Sequence, residues 1–328
     1  MSTPPLSADA VVFSTEAYTA MRDALCEVSG FEVGVIERNR FSDGERYMRI
    51  ASDVAGRDVV LLGGTVDEAA TLEIYDLACA LVHGGAHILT LVIPWYGYQT
   101  MERAVKPGEV VVAKTRARLL SSIPTAGSGN RVVLVDLHAE GIPHYFDGSI
   151  RPVHLYMTPL TLPMIRTLGG ERFAVGATDA GRAKWVESLA NDLGVEAGFV
   201  FKRRVSADQT EVTALSADVT GKTVVIYDDM IRTGGSLMGA ARAFLEAGAE
   251  KIAAVCTHGV FPGDALERLE KSGLFVGIGC TDTHPHAAPL AGDFLHVEPI
   301  APILAEALGP DGLVTLRRRS THEEGAKR

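Results

Sequence analysis

The sequence predicts an α/β protein made of two doubly wound parallel-sheet domains, and three observations carry that prediction. Short runs rich in Val, Ile and Leu recur along the chain, amphipathic stretches separate them, and several runs end in acidic or glycine-rich turns. Brief β-branched runs are what a strand needs when both faces of a parallel sheet are covered. Strands alternating with helical patterns imply βαβ units, whose crossover helices provide that cover. A length of 328 residues exceeds what one hydrophobic core usually organises, which argues for two domains.

In chain order, Val11-Val12-Phe13 reads as the first strand, and a helix-like pattern runs from Thr15 to about Cys26. Asp58 to Leu62 forms the next strand, closed by Gly63-Gly64, and Asp67 to His83 has helical periodicity. Ile88 to Pro94 and Arg131 to Asp136 are the remaining strands of the first half. An irregular stretch with Pro152, Pro159 and Pro163 follows Asp147-Gly148. The boundary placed there gives domains of 1–158 and 159–310. Phe173 to Ala177, Thr223 to Tyr227 and Ile252 to Cys256 repeat the strand pattern in the second half. Residues 311–328 carry Arg317-Arg318-Arg319 and Glu323-Glu324, a charged tail expected to be mobile.

Hydrophobic residues at 47% and charged residues at 22% fit a packed globular chain. The formal net charge of −10 argues against general binding to nucleic acid or anionic membrane, since both require a basic face. No apolar run approaches the roughly 18 residues that span a bilayer. Met1 to Ala10 lacks the basic and apolar regions of a secretory signal. Cys26, Cys79, Cys256 and Cys280 are scattered singly, without the spacing of a zinc or redox motif. They read as reduced thiols, and the protein is expected to be cytoplasmic.

The most informative segment runs from Thr223 to Leu237: a strand, then Asp228-Asp229, then Thr233-Gly234-Gly235-Ser236, then a helix. Leu237, Ala240, Ala241, Phe244 and Leu245 have core spacing on that helix, with Arg242 and Glu246 outside and Gly248 suited to its end. Gly234 and Gly235 allow a tight turn and close backbone approach to a ligand. Ser236 is expected as the N-cap, and the free N–H groups of the first turn favour a phosphate. Two carboxylates at the carboxyl end of a strand can accept hydrogen bonds from vicinal sugar hydroxyls, where ligands of open α/β sheets sit. The segment as a whole points to a sugar phosphate.

This segment resembles the phosphoribosyl-pyrophosphate (PRPP) loop of type I phosphoribosyltransferases and PRPP synthetases. Phe41-Ser42-Asp43-Gly44-Glu45, Ile93-Pro94-Trp95-Tyr96-Gly97-Tyr98, Asp136-Leu137-His138-Ala139 and Phe201-Lys202-Arg203-Arg204 resemble the ribose-phosphate diphosphokinase family in particular. So do Thr257-His258-Gly259-Val260 and Thr281-Asp282-Thr283, and all keep the family's order. The resemblance implies a phosphoribosyltransferase-type fold in both domains, with nucleotide on the first and ribose phosphate on the second. It implies transfer of the β,γ-diphosphoryl group of ATP to the 1-hydroxyl of ribose 5-phosphate, with Mg²⁺ as cofactor. Asp228, Asp229, Thr233, Gly234, Gly235 and Ser236 would hold the ribose phosphate. Phe41, Asp43 and Glu45 match an adenine-recognising loop contributed by a neighbouring subunit, which implies a homo-oligomer, dimer or hexamer. Arg103 and His138 match ATP-side positions. His138 and Asp179 match magnesium ligands, and Lys202 and Arg204 match cations on a loop over the reacting phosphates.

Three departures stand out. Thr100 and Met101 occupy positions where the family has an arginine and a glutamine that touch ATP, and a threonine cannot replace a bidentate guanidinium. Arg232 replaces an aspartate and reverses the local charge beside the sugar site. Ser121 to Asn130 is rich in Pro, Gly and Ser, in a region that builds subunit contacts and a regulatory phosphate site in the family. Arg232, Thr100 and Met101 are therefore candidate specificity residues. Beside the ordinary diphosphokinase, two readings stay open: an enzyme retuned to another 5-substituted ribose, and a catalytically weak regulatory paralogue.

Overall fold

The computed structural model describes residues 6–178, 180–204, 210–215 and 218–309. The chain forms two compact units, one of Met1–Tyr156 with Ile300–Arg328 and the other of Met157–Pro299. Their elements follow the chain. The first unit contains β1 (Val11–Ser14), α1 (Thr19–Ser29), β2 (Glu32–Val33), β3 (Ile36–Arg40), β4 (Arg46–Ile50), β5 (Asp58–Leu62), α2 (Glu68–His83), β6 (Ile88–Ile93), α3 (Val112–Ser121), β7 (Asn130–Val135) and β8 (Ile150–Leu155). The second contains α4 (Thr158–Gly169), β9 (Phe173–Ala177), α5 (Ala183–Leu193), β10 (Glu196–Arg204), β11 (Thr210–Leu215), β12 (Thr223–Ile231), α6 (Gly235–Glu246), β13 (Lys251–Gly259), α7 (Ala265–Lys271), β14 (Ile278–Thr281) and β15 (Leu295–Glu298). A last helix, α8 (Ala301–Leu308), returns to the first unit.

The first sheet has the order β2-β1-β5-β6-β7-β8 and is parallel throughout. Phe13, Leu61, Leu91 and Leu134 share a core with Ile74, Leu77 and Leu81 of α2 and Ala117 and Leu120 of α3. Residues of the alternate parity, Val12, Val60 and Val92, are buried as well. Burial on both faces is why these strands read as continuous apolar runs. The second sheet has the order β11-β10-β9-β12-β13-β14-β15, with only β11 antiparallel to its neighbour. Val224, Ile226, Ile252 and Ala254 face α6 through Ala240, Ala241 and Phe244. Val225, Tyr227, Ala253 and Val255 face α4 and α5 through Ile165, Val186 and Leu189. Both units are doubly wound, in keeping with the sequence.

Differences lie at boundaries. The stretch with Pro159 and Pro163 is helical: Pro159 falls in the first turn of α4, and Pro163 lies inside the helix. Pro159 gives up an N–H that has no helical acceptor there anyway. Pro152 sits in β8, an edge strand, the place in a sheet where proline is tolerated. The sequence grouped residues 300–309 with the second domain, whereas α8 packs on α1 of the first. An apolar stripe states that a helix must be covered and not by which partner. Residues 311–328, expected as a mobile tail, lie outside the described residues.

Candidate active site

The second unit builds its site at the point where the winding of its sheet reverses. From β9 the chain moves outward to β10 on one side, and β12 leads to β13 on the other. Ligands of such sheets sit beyond the carboxyl ends of the two strands flanking that point. Here those ends carry Thr178, just after β9, and Asp228 and Asp229 in β12. The strand expected over Thr223–Tyr227 continues to Ile231, so both carboxylates lie within β12, with Asp228 opposite Cys256 of β13. Asp228 Oδ1 accepts the Asp229 N–H at 2.9 Å, and its Oδ2 accepts the Thr178 hydroxyl at 3.1 Å. Arg182 spans the pair, with Nη2 at 2.5 Å from Asp229 Oδ2 and Nε at 3.7 Å from Asp228 Oδ1. Burial first, then the hydrogen bond and charge of Asp229, push the Asp228 carboxyl up to about 7, while Arg182 and Thr178 pull it back.

The turn after β12 differs from expectation in one respect. Gly234, with φ +77°, is the N-cap of α6, and Ser236 falls within the first turn. A β-carbon at Gly234 would lie 2.7 Å from Leu269 Cδ2, so both conformation and space require glycine. A left-handed cap residue without a side chain leaves the N–H groups of the first turn open, with the hydroxyl of Ser236 beside them. At the far end Gly248 N–H bonds Leu245 O and Ala249 N–H bonds Phe244 O, closing α6 in a Schellman arrangement. Thr233, Gly235, Ser236 and Arg232 are exposed, and the guanidinium of Arg232 has no ion-pair partner among the described residues.

The loop rests on a buried polar network at the ends of β13 and β14. The Thr281 hydroxyl donates to Thr257 O at 2.7 Å, and Thr283 Oγ1 bonds His258 Nδ1 at 2.8 Å. These motif residues therefore act as a support. Lys202 and Arg204 lie on β10, paired with Val212 and Thr210 of β11. Asp179 falls outside the described residues.

In the first unit, Phe41, Asp43 and Glu45 form the tip of the β3–β4 hairpin. Phe41 N–H bonds Glu45 O at 2.9 Å, Asp43 Oδ1 accepts the Glu45 N–H at 3.0 Å, and Phe41 is 50% exposed against the edge of Tyr47. Arg38 and Arg46 of the hairpin both pair with Glu73 of α2, at 3.4 and 3.3 Å. Buried Glu73 also accepts the Glu16 N–H at 3.1 Å.

The 97–103 loop meets His138 through Gln99. Gln99 is buried, and its Oε1 accepts the His138 N–H at 2.7 Å. Gly97 admits no β-carbon, which would lie 2.1 Å from Thr65 O. Thr100 and Met101 are exposed, and the Arg103 side chain is 78% exposed beside Glu102 at 3.5 Å. Asp136, in the left-handed region at φ 34°, is buried two residues before His138. A buried carboxylate close to His138 in sequence offers the hard oxygen donor that a divalent cation takes. Among the described residues no group of three His, Cys, Asp or Glu side chains gathers as a ready metal cage.

Sequence reasoning missed Arg182, Thr178, Gln99 and Glu73. Each acts on a residue distant in sequence, and none stands in a recognisable spacing.

Residues 10–123 match the N-terminal domain of ribose phosphate pyrophosphokinase, and residues 164–276 match the phosphoribosyl transferase domain. A ribose-phosphate pyrophosphokinase of Fusobacterium nucleatum is 36% identical over 267 residues, covering 80% of this chain and 83% of that protein. One from Chromobacterium violaceum is 33% identical over 301 residues, covering 91% and 90%. The crystal structure of phosphoribosylpyrophosphate synthetase from Mycobacterium smegmatis superposes with a TM-score of 0.80 at 28% identity, covering 97% of this chain and 100% of that one.

Proposed function

The chain belongs to the ribose-phosphate pyrophosphokinase family, a family of diphosphotransferases, and we propose how its residues share the work. The observation that carries the assignment is β12 ending in Asp228-Asp229 and running through Gly234 into the open N-terminus of α6. The 5-phosphate of ribose 5-phosphate sits on the N–H groups of that first turn and the hydroxyls of Thr233 and Ser236. The vicinal hydroxyls donate to Asp228 and Asp229. ATP belongs to the first unit, with Arg103 and His138 on the triphosphate side. The hairpin tip of Phe41, Asp43 and Glu45 recognises adenine; its exposure suits a site completed by a neighbouring subunit. At least a dimer follows, a hexamer included, and sedimentation of the purified chain reads it directly.

In the reaction the ribose 1-hydroxyl oxygen bonds the β-phosphorus while the bond from that phosphorus to the α,β-bridging oxygen breaks. AMP leaves with the bridging oxygen, and the hydroxyl proton is released. Lys202 and Arg204 neutralise charge growing on the transferred group. One Mg²⁺ would be held by His138 and a second by Asp179, and these ions would supply further neutralisation of the phosphates. A cytoplasmic location and ATP and ribose 5-phosphate as partners complete the reading. The alternatives of a retuned acceptor or an inactive paralogue are not favoured by relatives that all carry the ordinary name.

The test is AMP and PRPP formation by the purified chain from ATP, Mg²⁺ and ribose 5-phosphate. The two products should appear in equal amounts. Lys202→Ala should lose roughly a hundredfold to a thousandfold in turnover while keeping ribose 5-phosphate binding. Unchanged turnover would remove Lys202 from the mechanism.

A further inference from the structure

Adjacent carboxylates at a partly buried strand end cannot both be ionised unless a cation neutralises them, because burial and mutual repulsion each favour the protonated form. In oxygen-rich phosphate sites that cation is commonly a divalent metal. In this chain the neutralising group is already built in. The Arg182 guanidinium reaches both carboxylates, 2.5 Å from Asp229 and 3.7 Å from Asp228, and its side chain is only 19% exposed. It enters from the segment after β9, the other strand flanking the reversal point. The remaining ligand capacity on the inner side is also taken, since Asp228 is bonded to Thr178 and to the Asp229 N–H. A guanidinium keeps its charge at every physiological pH and has donors in a planar fork, which matches a pair of carboxylates. Exposed Arg232 adds a second positive charge on the loop that follows β12.

We propose that Arg182 is the resident cation of the sugar site. It bridges Asp228 and Asp229, so that ribose 5-phosphate binds without a divalent ion on those two carboxylates. Arg182 is then a positioning residue: it offsets the negative charge of the pair and aligns both carboxylates toward the sugar hydroxyls. The inference rests on the assignment of Asp228–Ser236 as the sugar-phosphate loop. It leaves untouched any ion bound through His138 or Asp179 and the phosphates of ATP.

Calorimetric titration of the full chain with ribose 5-phosphate, in EDTA and in Mg²⁺, tests it without any turnover. Wild-type affinity should agree within about threefold between the two conditions. Arg182→Ala should weaken by about tenfold or more in EDTA and recover when Mg²⁺ takes the vacated place. Should Arg182→Ala melt well below the wild type, Arg182→Gln keeps most of the volume without the charge and carries the same test. Three results would overturn the inference: wild-type binding that needs Mg²⁺, variants that bind equally in both conditions, or variants at wild-type melting temperature that bind in neither. The last would make Arg182 a direct sugar ligand. Asp229→Asn is the control for the site itself: if it binds ribose 5-phosphate as well as the wild type, the loop assignment has failed and not the role of Arg182.

Discussion

At the scale of single residues, Asp228 joins sugar recognition to acid–base behaviour. Its carboxyl is pushed up to about 7, chiefly by burial and then by Asp229. The folded value lies above that of an unfolded aspartate, about 4, so the native state binds the proton more tightly. Its stabilising contribution is full below about 4 and is lost as pH rises through about 7. Ligand-free wild type should therefore lose stability across that window relative to Asp228→Asn. Denaturant unfolding of both proteins at a series of pH values measures it, and parallel pH profiles would refute the shift. Gln99 supports a second prediction. Gln99→Leu removes the acceptor of the His138 N–H, a loss of about 1–3 kcal/mol if that donor stays buried. KM for ATP should rise while KM for ribose 5-phosphate stays put; a parallel rise in both would detach Gln99 from the nucleotide side. The difference in legibility between these residues is physical. Asp228 through Ser236 are contiguous, so one strand-turn-helix pattern exposes them together. Gln99 and Arg182 have meaning only through contacts with residues 39 and 46 positions away, which no local pattern encodes.

Among elements, the β3–β4 hairpin shows how a surface ribbon is held for function. Two short strands make a marginal structure alone, so its position depends on what anchors it. Glu73 does so, taking Arg38 and Arg46 from the ribbon and the Glu16 N–H from below, while being 5% exposed itself. Glu73→Ala leaves both arginines and the N–H without that acceptor, a loss of roughly 1–3 kcal/mol in local stability. If the tip recognises adenine, the variant should raise KM for ATP with little change in KM for ribose 5-phosphate. Hydrogen exchange of β3 and β4 should rise in parallel, and unaltered protection there would show that other contacts hold the ribbon. The strands of the two parallel sheets were legible because burial on both faces gives uninterrupted apolar runs. The ribbon was not: Ile36–Arg40 and Arg46–Ile50 are mostly polar and exposed, so neither alternation nor an apolar run announces them. α4 was hidden for a different reason, its two prolines suggesting irregularity although one sits where a helix tolerates it.

The whole molecule is two cores threaded by one chain, and the threading has a measurable consequence. The chain leaves the first unit after Tyr156, builds the second, and comes back at Ile300 to add α8 to α1. A unit completed by its most distant segment cannot be finished until the intervening unit has been synthesised. Leu304 is fully buried in α8, so Leu304→Ala should cost roughly 2–5 kcal/mol through lost burial and the cavity left behind. That loss belongs to the first core, although the substitution lies beyond the last strand of the second. The chain has two tryptophans, and they fall one to each unit: Trp95 in the first and Trp185 in the second. With Trp185 replaced by Phe, fluorescence follows the first unit, and with Trp95 replaced by Phe it follows the second. Leu304→Ala should shift the unfolding midpoint seen by Trp95 and leave that seen by Trp185 in place. A Trp185 transition that moved as far would mean that the two cores unfold as one, and a shift confined to Trp185 would place α8 with the second unit.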